Sequence, residues 1–322
     1  MASGVTSEFC LRLKENGYVD KYTLQKIQKI KTGKLWIHLD EDNLDSVEWL
    51  KNKSGLDELV VENLLDEETQ PRFFTLPSGT FVVLRDVNLN RNADIEDMIA
   101  VRIWIEKNRI ISLSHRRQPA IEKLVDSFSR GNTPSTPAGI FVRLSDSITE
   151  NISKVLSKID DSLDDIEDEL IDVDTLDAED LRYRISDIRH QVLGMRRYIG
   201  PQKDVFVALK NLDSDLTKEE KAIMRAIRRD MLQAVGSLDY AREHSTVSQE
   251  ELDSRINLQL NKTMYILTVI MVVLAPLTLI TGILGSNSIE VTENPNGFLL
   301  ISVVLLVLGA LQIWYLKHKK WF

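Results

Sequence analysis

The sequence predicts an α+β protein: a mixed α/β domain first, long stalk helices next, and two transmembrane helices at the C-terminal end. Three observations carry this. Runs such as "KLWIHLD" (34–40), "TFVVLRDVNL" (80–89) and "DMIAVRIWIEKNRIISLS" (97–114) alternate as strands do. From about residue 140 the apolar residues recur at helical steps of three and four. Residues 264–284 and 298–316 carry no charged side chain, and each reaches the ~20 residues that cross a hydrocarbon core.

Between the strands, "NLDSVEWLKNKSG" and "LDELVVENLLD" have helical spacing, each opened by an Asn or Asp. The run 97–114 reads as a hairpin turning at Lys107–Asn108. After Pro119 another helix runs to Gly131, and "NTPSTPAG" (132–139) reads as a connector. These pieces make residues 1–135 one cytoplasmic α/β domain. Residues 140–262 form a helical region and stalk, with helices expected over 141–172 and 177–210. The second should end near Gly200–Pro201 or shortly beyond.

A third helix opens at Thr217, with Glu220 at capping-box spacing. Continuous to Leu284, it would be about 100 Å long at ~1.5 Å per residue. Ile227, Met231, Val235, Leu238, Leu252, Ile256 and Leu260 suggest a coiled-coil seam, polar between Ser245 and Gln249. A helix of that length needs partners from its own chain or from symmetry copies.

The segments 263–285 and 298–316 are the two membrane helices, joined by a short loop at 286–297 and followed by a basic tail at 317–322. Lys262 precedes the first span and Lys317, His318, Lys319 and Lys320 follow the second, whereas the loop has only Glu290 and Glu293. The positive-inside rule then puts both termini in the cytoplasm and the loop outside. The first twenty residues contain no apolar core of a signal peptide, so the N-terminus is expected to stay cytosolic.

Composition excludes several classes. The net charge is −9 and the pI about 5.2, with no basic footprint for nucleic acid. Cys10 is the single cysteine, which rules out an internal disulfide or a cysteine-cluster metal site. No phosphate-binding Gly-rich loop, nucleophile elbow or His-Glu-x-x-His element occurs, so neither a nucleotide partner nor catalysis is expected. The five histidines are scattered: His38 in a strand, His115 on the surface, His190 and His244 on polar helix faces, and His318 at the basic C-terminal end.

One face of the long helix stands out. At a 3.5-residue step it reads Asn261, Met264, Thr268, Met271, Ala275, Thr278, Gly282 and Gly285, while Leu, Ile and Val fill the other faces. Small residues also serve close helix packing, and Thr can bond its own backbone. Repeated in several subunits, the same stripe would line a pore for a cation that keeps part of its water shell. Gly285, Ser286 and Asn287 would end the helix at the outer mouth with a ring of Asn287 amides, and Glu290 and Glu293 would gather cations outside.

Between Asp160 and Asp180 there are twelve carboxylates and no intervening Lys or Arg. This is either a solvated helix tip or a cytoplasmic cation sensor built on Asp160, Asp161, Asp164, Asp165 and Asp168.

The stretch "MYILTVIMVVLAPLTLITGILGSN" resembles the first membrane helix of the CorA superfamily, marked by a Gly-x-Asn triplet at its end. The superfamily usually has Met in the middle of that triplet, where this chain has Ser286. "WIHLD", "LLDEETQPR", "LRDVNLN", "YIGPQKD" and "QEELDSRINLQLNKTMYILTVI" are similar to the ZntB branch of zinc transporters. The resemblance implies a funnel-shaped homopentamer in the bacterial inner membrane, no cofactor, and Zn2+ or another divalent cation as the transported ion. It also implies proton coupling, for which no Asp or Glu lies in either span. The residues themselves leave three functions open: a zinc transporter, a magnesium or cobalt channel of the same build, and a non-conducting membrane-anchored scaffold.

Overall fold

The computed structural model describes residues 8–14, 17–23, 33–171, 177–209, 212, 215–286 and 295–318, without the side chains of 284–298, 300 and 301. The chain divides into two compact units, Met1–Gln249 and Glu250–Phe322.

The first unit holds a seven-stranded sheet. Its strands are β1 (Phe9–Leu13), β2 (Val19–Tyr22), β3 (Lys34–Asp40), β4 (Arg72–Leu76), β5 (Gly79–Asp86), β6 (Ile99–Ile105) and β7 (Arg109–Ser114), in the order β2-β1-β3-β7-β6-β5-β4. Only β3 and β7 run parallel, with Trp36 opposite Ile110 and Leu39 opposite Leu113. The hairpin expected at 107–108 joins β6 to β7, closed by the Glu106 N–H donating to the Arg109 carbonyl at 2.8 Å. Strands β1, β2 and β4 were not singled out by alternation: they are only four or five residues long, and β2 and β4 lie at the sheet's two edges.

Two short helices, α1 (Leu44–Asn52) and α2 (Glu58–Leu65), contribute Trp49, Leu50, Val60, Val61 and Leu64 to a core with Ile37, Leu39, Phe81, Val83, Trp104, Ile111 and Leu113. Full burial of such side chains stabilises by about 1.5–3 kcal/mol each before the entropy cost of ordering them. Asn43 caps α1, its side chain accepting from the Asp45 N–H at 2.9 Å, whereas Asp57 makes no side-chain cap on α2. Helix α3 (Pro119–Ser129) places Phe128 edge-on to Trp36 at 5.7 Å.

Several of the polar groups buried in this unit have specific partners. The Trp36 indole N–H donates to the Ser112 hydroxyl at 2.9 Å, and that hydroxyl also meets His38 Nδ1 at 2.9 Å. Burial lowers the His38 pKa to about 4, so the ring is neutral near pH 7. His38 is thus a core residue. Cys10 is also buried, which pushes its thiol pKa up to about 12.

Three long helices follow: α4 (Pro137–Ile171), α5 (Ala178–Ala208) and α6 (Lys218–Ser286). Helix α4 starts inside the expected connector. Thr136 caps it, its hydroxyl accepting from the Gly139 N–H at 3.0 Å, and Pro137 occupies the first helical position, where no N–H is needed. Helix α5 is capped by Asp177 and runs through Pro201 to Ala208. The capping box of α6 forms as expected: Thr217 N–H donates to Glu220 at 2.8 Å, and Glu220 N–H to the Thr217 hydroxyl at 3.2 Å.

Within the first unit the buried line of α6 is Met224, Ile227, Met231, Ala234, Leu238, Ala241, Ser245 and Ser248, an unbroken alternation of threes and fours. Val235, expected in the seam, is half-buried, and Ala234 takes its place. The two serines continue the line without an unpaired hydroxyl, donating to the Arg242 and His244 carbonyls at 2.9 and 3.0 Å. Ion pairs tie this stretch to its neighbours: Arg196–Asp239 at 2.8 Å and His244–Glu167 at 2.8 Å. His244 is therefore less exposed than its polar helix face suggested.

The second unit contains the end of α6 and α7 (Pro295–His318). Among its described residues only Leu252, Val269 and Leu316 are buried. One helix, over Lys218–Ile283, contains a stretch long and apolar enough to cross a membrane; Ser302–His318 is a shorter apolar helix.

Candidate ion pathway

The site is built on the C-terminal third of α6. Every described position of the expected stripe, Asn261, Met264, Thr268, Met271, Ala275, Thr278 and Gly282, is exposed in the single chain. Met264 keeps 65% and Met271 56% of their surface. Met271, Ala275, Thr278 and Gly282 line one shallow groove, with Leu274, Leu279 and Ile283 along its sides. The 3.5-residue step thus brings four stripe positions onto one surface.

The hydroxyls on this face are oriented by the helix itself. Thr268 donates to the Met264 carbonyl at 2.8 Å and Thr278 to the Leu274 carbonyl at 2.9 Å. Each hydroxyl spends its proton on the backbone and keeps lone pairs free. Such an oxygen can accept from the outward-pointing hydrogens of a hydrated cation. The packing role of threonine and the acceptor role are therefore compatible. Pro276 adds another acceptor, because it has no N–H to give the Val272 carbonyl its usual helical partner.

Gly285 and Ser286 are the last two residues of α6. Asn287, Glu290 and Glu293 lie outside the described residues. At the end of α7, Lys317 and His318 are exposed and basic, and the Trp314 and His318 rings stack at 5.6 Å.

Asp160, Asp161, Asp164, Asp165 and Asp168 all stand on the exposed face of α4. Among the described residues no three His, Cys, Asp or Glu side chains come together to hold a metal ion. The remaining histidines have local partners: His115 meets Asp42 at 3.0 Å and His190 meets Glu96 at 2.8 Å.

Residues missed by the motif reading hold the helices to the sheet. Gln202 is fully buried; its amide oxygen accepts from the Arg85 N–H at 2.6 Å and its NH2 donates to the Arg85 carbonyl at 3.1 Å. The pairing of β4 with β5 ends at Arg72 opposite Val83, so this side chain stands in for a strand just beyond the end of β4. On α4, Asn151 Nδ2 donates to both oxygens of Asp86, at 3.3 and 3.0 Å, and the Val87 N–H also donates to it, at 2.9 Å. Asp86 is fully buried, and burial raises its pKa to about 7. Both residues lie in stretches, "LRDVNLN" and "YIGPQKD", whose resemblance was visible before their chemistry was.

An α/β domain is thus followed by a helix of 69 residues that contains a stretch long and apolar enough to cross a membrane. Residues 32–318 match the family described as CorA-like Mg2+ transporter protein, and the chain belongs to that family. It is 31% identical over 291 residues to the divalent cation transporter CmaX of Pseudomonas aeruginosa, covering 89% of this chain and 87% of that protein. The zinc transport protein ZntB of Yersinia enterocolitica is 28% identical over 291 residues, with the same coverage of 89% and 87%. The structure of full-length CmaX superposes with a TM-score of 0.80 at 28% identity, covering 99% of this chain and all of that one. The CorA magnesium transporter of Methanocaldococcus jannaschii has the same fold, with a TM-score of 0.79 at 20% identity and 99% of each chain covered. Proteins of this family are membrane transporters of divalent cations rather than enzymes.

Proposed function

We propose that this protein is a homopentameric inner-membrane transporter that admits divalent cations, zinc first, along the small-residue face of α6. The observation that carries the reading is that face: exposed in one chain, uncharged, and furnished with hydroxyls whose protons are already given to the backbone. The apolar surface around it, including Ile266, Leu267, Ile270 and Leu279, supports burial in lipid or against other copies of the chain. Both termini are cytoplasmic and the loop after Ser286 lies outside, with Gly285, Ser286 and Asn287 forming the outer mouth and Glu290 and Glu293 raising the cation concentration there. An inside-negative potential of 100 mV favours entry by about 2.3 kcal/mol per charge, so import needs no nucleotide.

The zinc assignment rests on the likeness to ZntB. A second reading, a magnesium channel, is favoured by the donors themselves: the described stripe offers oxygens and thioethers but neither imidazole nor thiolate. A metal-sensing role for the Asp160–Asp168 carboxylates would need ligands from another subunit to complete it.

Proteoliposomes loaded with a zinc- or magnesium-sensitive dye decide between these. Zinc entry that Asn287→Ala abolishes and excess magnesium leaves intact is the expected result. Magnesium entry without zinc entry selects the second reading, and no flux of either ion overturns transport.

A further inference from the structure

A cavity of about 400 Å³ opens at the end of the sheet where the parallel strands β3 and β7 finish, far in sequence from α6. Crevices beyond the carboxyl ends of parallel strands are where open α/β sheets characteristically take ligands. Its charged lining comes from Arg85, Arg102 and Arg116 and from Glu41, Glu67 and Asp97. Two of the three arginines are neutralised in place: Arg102 Nη1 meets Glu41 at 2.6 Å, and Arg116 meets Asp97 at 2.6 Å.

The remaining cationic capacity is specific. Among the described residues no carboxylate lies at ion-pair distance from Arg85; its guanidinium donates to the Thr69 carbonyl at 3.0 Å, to the Thr69 hydroxyl and to the Met98 carbonyl, and lies 4.1 Å over the Tyr198 ring. Asp97 acts on this charge only from beyond ion-pair distance, and a half-buried guanidinium whose direct contacts are neutral dipoles and a π face is incompletely compensated. Arg102 is 5% exposed, and its Nε–H is buried without a hydrogen-bond partner. An orphaned charged donor of that kind costs about 1–3 kcal/mol or more unless something fills the place. A planar oxyanion suits both guanidiniums, since carboxylate and phosphate match the guanidinium fork.

We propose that this cavity is a binding site for a small organic anion, gripped through a phosphate or carboxylate head by Arg85 and Arg102. Glu67, exposed at the rim, faces the part of the ligand beyond that head. The volume lies within the ~300–1,000 Å³ of small-molecule sites. The site shares no residue with the candidate ion pathway, and the proposal does not depend on which ion passes.

The test is calorimetric titration of the purified full-length protein in detergent and metal-free buffer, with pyrophosphate and citrate as probes. One saturable site per chain is expected for at least one probe, with Kd at or below about 1 mM. The better probe identifies phosphate or carboxylate as the head group. Arg85→Gln should weaken binding tenfold or more. Arg102→Lys keeps a cation for Glu41 but removes the guanidinium Nε–H, and should weaken it by a similar factor while melting within a few degrees of wild type. Arg130→Gln, remote and exposed, should bind as wild type does. Absence of saturable binding for both probes, or equal affinity in wild type and Arg85→Gln, overturns the proposal. If Arg102→Lys fails to fold, Arg85→Gln decides alone.

Discussion

The two units of this chain solve opposite problems. In residues 1–249 most of the described large apolar side chains are buried, and several buried polar groups are met by specific partners: Asp86 by Asn151 and Arg85's backbone by Gln202 between sheet and helix, and His38 by Ser112 between strands. In residues 250–322 most of the described apolar side chains are exposed, and the threonine hydroxyls turn back onto their own helix. A lone chain can satisfy the first arrangement. The second is stable only where something other than water surrounds it. The polar groups named here hold the head together, whereas the threonine hydroxyls of the second unit give their protons to their own helix and keep lone pairs unspent.

That contrast is sharpened most by matched truncations. Leu238→Ala, at a fully buried seam position, should destabilise the head by about 2–5 kcal/mol, read by denaturant unfolding in detergent. Leu279→Ala, 65% exposed, should change the same transition by less than about 0.5 kcal/mol. Equal losses would break the comparison.

Asp86 gives the next largest effect. Its folded pKa, about 7, lies above the ordinary carboxylate value of 3.8. The folded state therefore binds the extra proton, and the stability it contributes is present below about pH 4 and lost as pH rises through 7. Between pH 5 and 8 the wild type should lose about 2 kcal/mol. Asp86→Asn should flatten that slope, and a slope unchanged by the substitution would show that Asp86 is ionised throughout.

Gln202→Ala strands the Arg85 N–H and carbonyl and should cost about 1–2 kcal/mol. Thr217→Ala removes half of the α6 capping box and should cost about 1 kcal/mol. Both are read in the same unfolding experiment.

How much was legible depended on the range of the signal. Local patterns carried the long elements: the alternation of β3, β5, β6 and β7, the capping box at Thr217 and Glu220, and the helical stripe whose members Met271, Ala275, Thr278 and Gly282 share one groove. Short strands did not read well, because four residues such as those of β2 give too few alternations to separate from loop. The N-terminus of α4 was readable but outvoted: Thr136 and Pro137 form a good helix start, yet they sit in a stretch rich in Pro, Ser and Thr. The seam falls at Ala234 rather than the more apolar Val235, because Ala234 keeps the alternation of fours and threes from Ile227 through Met231 to Leu238. Long-range partnerships, such as the parallel pairing of β3 with β7 and the amide of Gln202 on Arg85, leave no mark in a local window.

The central claim is that the 3.5-residue face of α6 meets the ion while the other faces do not. Cys10, the single native cysteine, is buried with its thiol pKa pushed up to about 12, which keeps it inert to thiol reagents. Single substitutions Thr278→Cys on the face and Ile270→Cys roughly a third of a turn away from it can therefore be made in the native sequence. In dye-loaded proteoliposomes, a small cationic thiol reagent should block divalent-cation entry through Thr278→Cys and leave entry through Ile270→Cys unchanged. Equal block at both positions, or block at Ile270→Cys alone, would contradict the account.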